Sequence, residues 1–161
     1  MPRCQLEKIV SGGQTGVDRA ALDVAIFLDI PHGGWCPLGR RAEDGSIPET
    51  YLLQETTQRD YSIRTERNII DSDGTLILFR NQTTGGTDLT RKLALKHRRP
   101  LVCIDLENQN DDDFERVCQW IEEQQINVLN IAGPRESSCR GIGKQAERFL
   151  VDVLKLENEN R

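Results

Sequence analysis

The chain of 161 residues has few aromatic side chains, few histidines and no excess of positive charge. Aromatic residues make up only 5% of it, so the core must be built mainly from aliphatic side chains. His32 and His97 are the only histidines, which leaves little material for a zinc site, and we expect no protein-held metal. The net charge of −5 disfavours sequence-independent binding to nucleic acid, because such binding needs a basic surface.

Long hydrophobic runs are also missing from the chain. No apolar stretch approaches the ~20 residues of a membrane span, and the N-terminus lacks a signal-peptide pattern. The five cysteines form no CxxC pair, so we interpret them as reduced thiols: Cys4, Cys36, Cys103, Cys118 and Cys139. These features predict a cytoplasmic protein with no membrane or nucleic-acid partner. The length predicts a single domain over residues 1–161, with its core at about 7–155.

Glycine-rich turns stand where apolar strands give way to helices. The first is Gly12, Gly13, Gln14, Thr15 and Gly16, followed at once by an amphipathic helix from Val17. Amides at a helix N-terminus point outward, and the helix dipole favours negative charge there. Similar junctions recur at 84–87 and 140–143. The sequence therefore predicts three anion-binding corners, although Thr15 and Asp18 also match a capping box that would only start the helix.

Strands and helices alternate along the whole chain. We predict strands at 8–11, 32–36, 75–79, 101–105 and 126–132, and helices at 17–28, 61–71, 86–97, 112–124 and beyond 134. A short helical turn is expected at 50–56, and a frayed tail at 157–161. This order predicts an α/β fold, a Rossmann-like three-layer α/β/α domain with a central, mostly parallel sheet of about five strands. The glycine loops should then converge on one rim of the sheet.

Two well-known phosphate-binding motifs do not fit. The dinucleotide fingerprint GxGxxG would need glycine where Ser11 stands. A P-loop ending at Gly143 and Lys144 would need glycine in place of Ser138 and a hydroxyl side chain in place of Gln145. A standard NAD dehydrogenase and a P-loop NTPase are therefore disfavoured.

Charged residues near the glycine loops are the remaining candidates. Arginine can contact phosphate in a bidentate manner, and the residues placed for it are Arg40, Arg41, Arg64 and Arg67, each of which could equally be a surface charge. The nearest acids are Asp18, Glu43, Asp44 and Asp88. Helix capping or solvation is the simpler interpretation of these acids, ahead of catalysis.

Four separated segments resemble one family. They are KIVSGGQTGVDRAALDVA, GGWCPLGRRAEDGSIPETY, the stretch containing RTERN and DSDGTLIL, and TGGTDLTRKLA, within residues 7–155. Together they resemble the proteins labelled molybdenum carriers, a circularly permuted branch of the SLOG superfamily of lysine-decarboxylase-like Rossmannoid proteins. The resemblance implies a pocket at residues 12–16 and at Gly85, Gly86 and Thr87. Its ligand would be a nucleotide, a nucleotide derivative or a phosphorylated cofactor such as the molybdenum cofactor, and the protein would be a dimer or a higher oligomer.

Related phosphoribohydrolases carry a PGGxGTxxE motif that this chain only partly matches. No proline precedes Gly85, no third glycine follows, and Lys92 stands where the glutamate would fall. The departure puts hydrolysis in doubt, because the missing carboxylate would be the acid–base group.

Three functions stay open at this point. The leading one is a binding protein for a phosphorylated small molecule, which is not an enzyme. Its ligand would be held by Gly12, Gly13, Gln14, Thr15, Gly16, Asp18, Arg40, Arg41, Arg64, Gly85, Gly86 and Thr87. Asp18 or Asp88 could also contact a ribose hydroxyl or Mg²⁺. The alternative is a hydrolase of nucleotide N-glycosidic bonds with Asp18 or Asp88 as the catalytic group, and the third is a signalling or scaffold domain.

Overall fold

The structure, a computed structural model, describes residues 6–159. Nine strands are present in the described part: β1 Lys8–Val10, β2 His32–Gly33, β3 Trp35–Cys36, β4 Arg41–Ala42, β5 Gly45–Ser46, β6 Gln54–Glu55, β7 Gly74–Phe79, β8 Leu101–Asp105 and β9 Val128–Ala132. The α-helices are α1 Val17–Phe27, α2 Tyr61–Ile70, α3 Gly85–Lys96, α4 Asp112–Glu123 and α5 Ile142–Glu159, and a short 3-10 helix spans Glu136–Ser138.

The central sheet has five strands in the order β2-β1-β9-β7-β8, and every neighbouring pair is parallel. The predicted Rossmann-like α/β fold is confirmed. If the count begins at β7 instead of β1, the order becomes 2-1-3-4-5, a common doubly wound arrangement. The direction of winding therefore reverses between β7 and β9, which is where such sheets open a crevice beyond the carboxyl ends of their strands.

The main aliphatic core lies between the sheet and helices α1, α4 and α5, with α5 packed on both of the others. The α5 stripe carries Ala146, Phe149, Leu150, Val153 and Leu154 at helical spacing, all buried. Helices α2 and α3 pack together. Since strand side chains alternate in direction, Leu129 and Ile131 face the main core, whereas Asn130 between them faces the side of α2 and α3.

Several local predictions need correction. The predicted strand at 32–36 is broken at Gly34, whose φ of 126° turns the chain so that β2 joins the central sheet and β3 leaves it. The helical turn predicted at 50–56 is wrong, because residues 54–55 form β6 parallel to β3. The capping box is wrong as well, since Gly16 is the N-cap of α1 and no side chain caps it.

At the C-terminus, α5 continues to Glu159, so the expected fraying does not hold for 157–159, and residues 160–161 lie outside the described part. Cys36, Cys103, Cys118 and Cys139 form no disulfide with one another, and Cys4 lies outside the described residues. Among residues 6–159, no helix is both long enough and apolar enough to cross a bilayer.

Candidate functional site

A cleft opens at the reversal point of the sheet. The loop after β1, the inner side of α2, the first turn of α3, and β9 with the loop after it all contribute to its wall. The cleft has a cavity volume of about 210 Å³ and opens to solvent at its mouth. The predicted site residues that it brings together are Gly12, Gln14, Asp18, Arg64, Gly85, Gly86 and Thr87.

The first corner of the cleft is closed by an ion pair between α1 and α2. Nη1 of Arg64 lies 3.5 Å from Oδ2 of Asp18 and donates to the carbonyl oxygen of Gly12 at 2.7 Å. The amide of Gln14 donates to the same Asp18 carboxylate at 3.4 Å, and the amide of Thr15 donates to the side chain of Gln14. The amides of this loop are therefore occupied largely by the chain's own side chains, and the expectation of free amides here is wrong.

Asp18 is a buried acid in the cleft wall, with 6% of its surface exposed. Burial raises the pKa of Asp18 to about 6, although the charge of Arg64 and the amide of Gln14 act in the opposite direction. A carboxyl group that titrates near neutrality in a cleft is typical of binding and catalytic sites.

The first two glycines of this loop are explained by what lies against them. A Cβ on Gly12 would stand 2.1 Å from Nη1 of Arg64, so glycine is what lets the guanidinium reach the backbone. Gly13 has φ of 79°, and a Cβ there would lie 2.6 Å from Cδ1 of Leu53. Gly13 therefore serves the packing of the loop rather than the cleft, whose wall does not include it.

The second corner is open. Thr84 is the N-cap of α3 and makes no side-chain cap, and its carbonyl oxygen accepts from the amides of Thr87 and Asp88. The amides of Gly85 and Gly86 have no acceptor among the described residues, and both glycines line the cleft. A Cβ on Gly86 would meet nothing within 4 Å. This corner has the unoccupied amides and positive dipole end that the sequence predicts.

The third corner, at 140–143, is blocked by a carboxylate of the chain itself. Oε2 of Glu136 accepts from the amide of Gly141, and Oε1 accepts from the amide of Gly143 at 3.0 Å. Glu136 thereby caps the N-terminus of α5 in the place that an anion would take. The prediction that all three corners bind an anion is wrong for this one.

The arginines separate into three roles. Arg64 is buried in the cleft wall, and its Nη2 has no acceptor among the described residues. Arg40 donates instead to the carbonyl oxygens of Ile47, Pro48, Tyr51 and Leu53, so its guanidinium organises the loop around them. Arg41 is exposed and lies over the ring of Tyr61 at 5.7 Å. Neither Arg40 nor Arg41 lines the cleft.

The rest of the first loop is covered by the β4–β5 hairpin. The hydroxyl of Thr15 donates to Glu43, and Ser137 donates to the same carboxylate from the other side. The amide of Glu43 donates to Oε1 of Gln14 at 2.9 Å. Thr15 and Gly16 are thus held under this hairpin and against the 133–138 loop, outside the cleft wall.

Asp88, the other candidate catalytic acid, lies outside the cleft wall. Its carboxylate pairs along α3 with Lys92 and Arg91, each at 3.1 Å. Hydrogen bonds from these two cations lower the pKa of Asp88, so it stays ionised at neutral pH.

Sequence reasoning missed two features of the cleft. Asn130 lies in the middle of the central strand β9 and lines the floor, and Tyr61 lines the wall between the guanidinium groups of Arg41 and Arg64. The signal for Asn130 was present, because it is the one amide that interrupts the apolar run VLNIA at residues 128–132. No local pattern gives Tyr61 a role in the cleft, since that role depends on Arg41, which is distant in the chain.

Comparison with known proteins agrees with this architecture. Residues 9–154 match the family described as Circularly permutated YpsA SLOG. A crystal structure from Syntrophus aciditrophicus, described as a "putative molybdenum carrier protein", is 46% identical, with a TM-score of 0.93 over 95% of this chain and 98% of that one. No curated protein matches the chain. The chain belongs to the circularly permuted YpsA branch of the SLOG family.

Proposed function

We propose that the chain is a binding protein for a phosphorylated small molecule, which it holds in the cleft between β7 and β9. The observation that carries the proposal is the first turn of α3, where the unoccupied amides of Gly85 and Gly86 open into the same cleft as the Arg64 side chain. Amides at a helix N-terminus and a buried guanidinium both favour a phosphate group. The corners at 12–16 and 140–143 are filled by Asp18 and Glu136, so the phosphate has one place to bind.

The ligand is a nucleotide, a nucleotide derivative or a phosphorylated cofactor. The related structure described as a molybdenum carrier favours a molybdenum compound as one such ligand. Among the residues described, no group of three His, Cys, Asp or Glu side chains could hold a metal ion. We therefore propose that molybdenum, if it is carried, arrives inside an anionic compound that the amides and Arg64 recognise.

The test is a binding titration with a variant that fills the open corner. Gly86→Leu places a side chain in the cleft where nothing lies within 4 Å, so the fold should tolerate it. Lys96→Leu introduces the same side chain at the far end of α3 as the control. A ligand at 100 times its Kd should stabilise the wild type and Lys96→Leu by about 2.7 kcal/mol and Gly86→Leu hardly at all. Equal stabilisation of all three proteins would refute the site.

A second candidate function, hydrolysis of a nucleotide N-glycosidic bond, is favoured by one observation. Asp18 is a buried acid of the cleft whose pKa lies near 6, which suits proton transfer at neutral pH. The test is release of free base from nucleoside monophosphates. Loss of turnover in Asp18→Asn, with Asp88→Asn fully active, would support it, whereas no release by the wild type would exclude those substrates.

Cytoplasmic location and self-assembly stay predictions. Large apolar side chains are exposed on several elements, and assembly would cover some of them: Ile26, Phe27, Leu38, Leu52, Ile70 and Leu95. Sedimentation equilibrium decides between a monomer and the dimer or larger oligomer that we propose.

A further inference from the structure

The floor of the cleft contains a buried amide in an apolar setting. Asn130 lies opposite Val10 of β1 on one side and Thr75 of β7 on the other, at the centre of the sheet. Only 3% of its surface is exposed. Buried parallel strands are usually near-continuous runs of apolar residues, and a valine or leucine would fill this position without burying polar atoms.

Half of the Asn130 amide is satisfied within the sheet. Its Nδ2 donates to Oγ1 of Thr75 at 3.2 Å, which ties the side chain to the neighbouring strand β7. Its Oδ1 has no hydrogen-bond partner among the described residues, and the side chain lines the cleft. Oδ1 is not sealed from solvent, since among the described residues the one fully buried side-chain N or O atom without a hydrogen-bond partner is Nε of Arg19. A group that enters the cleft can therefore donate to Oδ1 in place of water.

The open corner and the floor make different demands on a ligand. Gly85 and Gly86 offer hydrogen-bond donors, which suit phosphate oxygens, whereas Oδ1 of Asn130 needs a donor. Molybdate at neutral pH meets the first demand and has no proton to donate for the second. Orthophosphate keeps a P–OH group, but it is a single small ion that must meet both demands from one position. A compound that joins a phosphate to a sugar or a heterocycle satisfies both.

We infer that Asn130 is a specificity residue whose Oδ1 accepts a hydrogen bond from an O–H or N–H group of the ligand. The ligand is therefore a phosphorylated compound with a second, donor-bearing part, and not a bare oxyanion. This inference rests on the proposed function, because it assumes that the phosphate part binds at the first turn of α3. Thr75 is a positioning residue, since it holds the Asn130 side chain and does not line the cleft.

Isothermal titration calorimetry at pH 7.5 tests the inference. The probes are orthophosphate, molybdate, ribose 5-phosphate and the four common ribonucleoside 5′-monophosphates. The variants are Asn130→Leu and the double variant Asn130→Leu with Thr75→Val, which restores an apolar pair if the single change leaves the Thr75 hydroxyl unpaired and weakens folding. Thr75→Val alone is the control, because it keeps the Asn130 amide.

The wild type should bind at least one donor-bearing phosphate ~10-fold or more tightly than orthophosphate and molybdate. Asn130→Leu should weaken the binding of that compound about 5–30-fold and change the affinity for orthophosphate by less than about twofold. Thr75→Val should have a smaller effect on affinity. Ribose 5-phosphate distinguishes a sugar hydroxyl donor from an N–H donor of the base, since it carries hydroxyl groups and no base.

Equal affinity for all probes, or nucleotide affinity that survives the loss of Asn130, would overturn the inference. If phosphate binding is still lost in Gly86→Leu in that case, the proposed function stands and only the role of Asn130 fails. A wild type that binds none of the probes would contradict both.

Discussion

Nη1 of Arg64 and Oδ2 of Asp18 lie 3.5 Å apart in the wall of the cleft, and both side chains are buried. The pair joins α2 to α1 across the loop that follows β1. Its carboxylate also accepts from the amide of Gln14, so Asp18 takes the place that an external anion was expected to occupy. The Arg64 side chain lines the same cleft, so its guanidinium can bind a phosphate while it stays paired with Asp18.

Replacing Arg64 should be costly for the fold. Arg64→Leu leaves Asp18 buried without its cation and should lower the free energy of unfolding by ~3–5 kcal/mol at pH 8. The loss should shrink at pH 5, where a carboxyl with a raised pKa takes up a proton. Urea denaturation at both pH values measures this.

The control for that experiment is Arg67→Leu, on the exposed side of the same helix, where the guanidinium lies over Trp35. Arg67→Leu should lower the free energy of unfolding by about 0.5–1 kcal/mol at either pH. Equal losses for the two variants would mean that the Asp18–Arg64 pair contributes nothing particular.

The pH dependence of stability should carry the signature of Asp18. Because its pKa in the fold is about 6 and its ordinary value is 3.8, the native state binds a proton that the unfolded chain has released between these values. The stability that proton binding by Asp18 gives the fold is therefore fully present below pH 3.8. It is lost as the pH rises to about 6, and the loss reaches up to about 3 kcal/mol.

The check is the difference in unfolding free energy between wild type and Asp18→Asn from pH 4.5 to 8. Relative to the variant, the wild type should become less stable up to about pH 6 or 7 and then level off. A difference that does not vary with pH would contradict the raised pKa.

Two glycines of the cleft should respond in opposite ways to alanine. A Cβ on Gly133 would lie 2.2 Å from the carbonyl oxygen of Leu78 and 2.5 Å from Cγ2 of Val17, so Gly133→Ala should destabilise by about 1–3 kcal/mol. Gly86 lies in α3 with open space around it, and Gly86→Ala should stabilise by about 0.4–1 kcal/mol. Thermal unfolding of both variants tests this contrast, and a destabilised Gly86→Ala would show that the corner is not open.

Arg40 and its neighbour Arg41 should differ in how much each side chain stabilises the fold. Arg40→Ala removes hydrogen bonds to four carbonyl oxygens and should cost roughly 2–4 kcal/mol, with faster proteolysis of residues 47–53. Arg41→Ala should cost less than about 1 kcal/mol, since its side chain is exposed. Similar losses for the two would refute the structural role of Arg40.

The comparison of sequence and structure shows where local patterns carry information. The strand and helix order followed from apolar periodicity, and the Gly85–Gly86 corner followed from its glycines. The filling of the first corner was only partly visible, because Asp18 is four residues from Gln14 whereas Arg64, which pairs with it, is 52 residues from Gly12. Glu136 is only five residues from Gly141, yet its role depends on a 3-10 turn that the sequence did not indicate.

The role of Arg40 was hidden for a different reason. Phosphate and a set of carbonyl oxygens both attract a guanidinium, so residue type alone does not separate a binding arginine from one that organises a loop. What separates them is the fold of 47–53, whose carbonyl oxygens turn toward Arg40.

Phosphate binding at the first turn of α3 is best observed in a ¹H–¹⁵N correlation spectrum recorded while orthophosphate and then a nucleoside monophosphate are added. A phosphate bound at the first turn of α3 should shift the amide resonances of Gly85 and Gly86 most strongly. Gly141 and Gly143, whose amides are held by Glu136, should stay nearly unchanged. Shifts that centre on Gly141 and Gly143, or no shifts at millimolar concentrations of either probe, would refute a phosphate site at the first turn of α3.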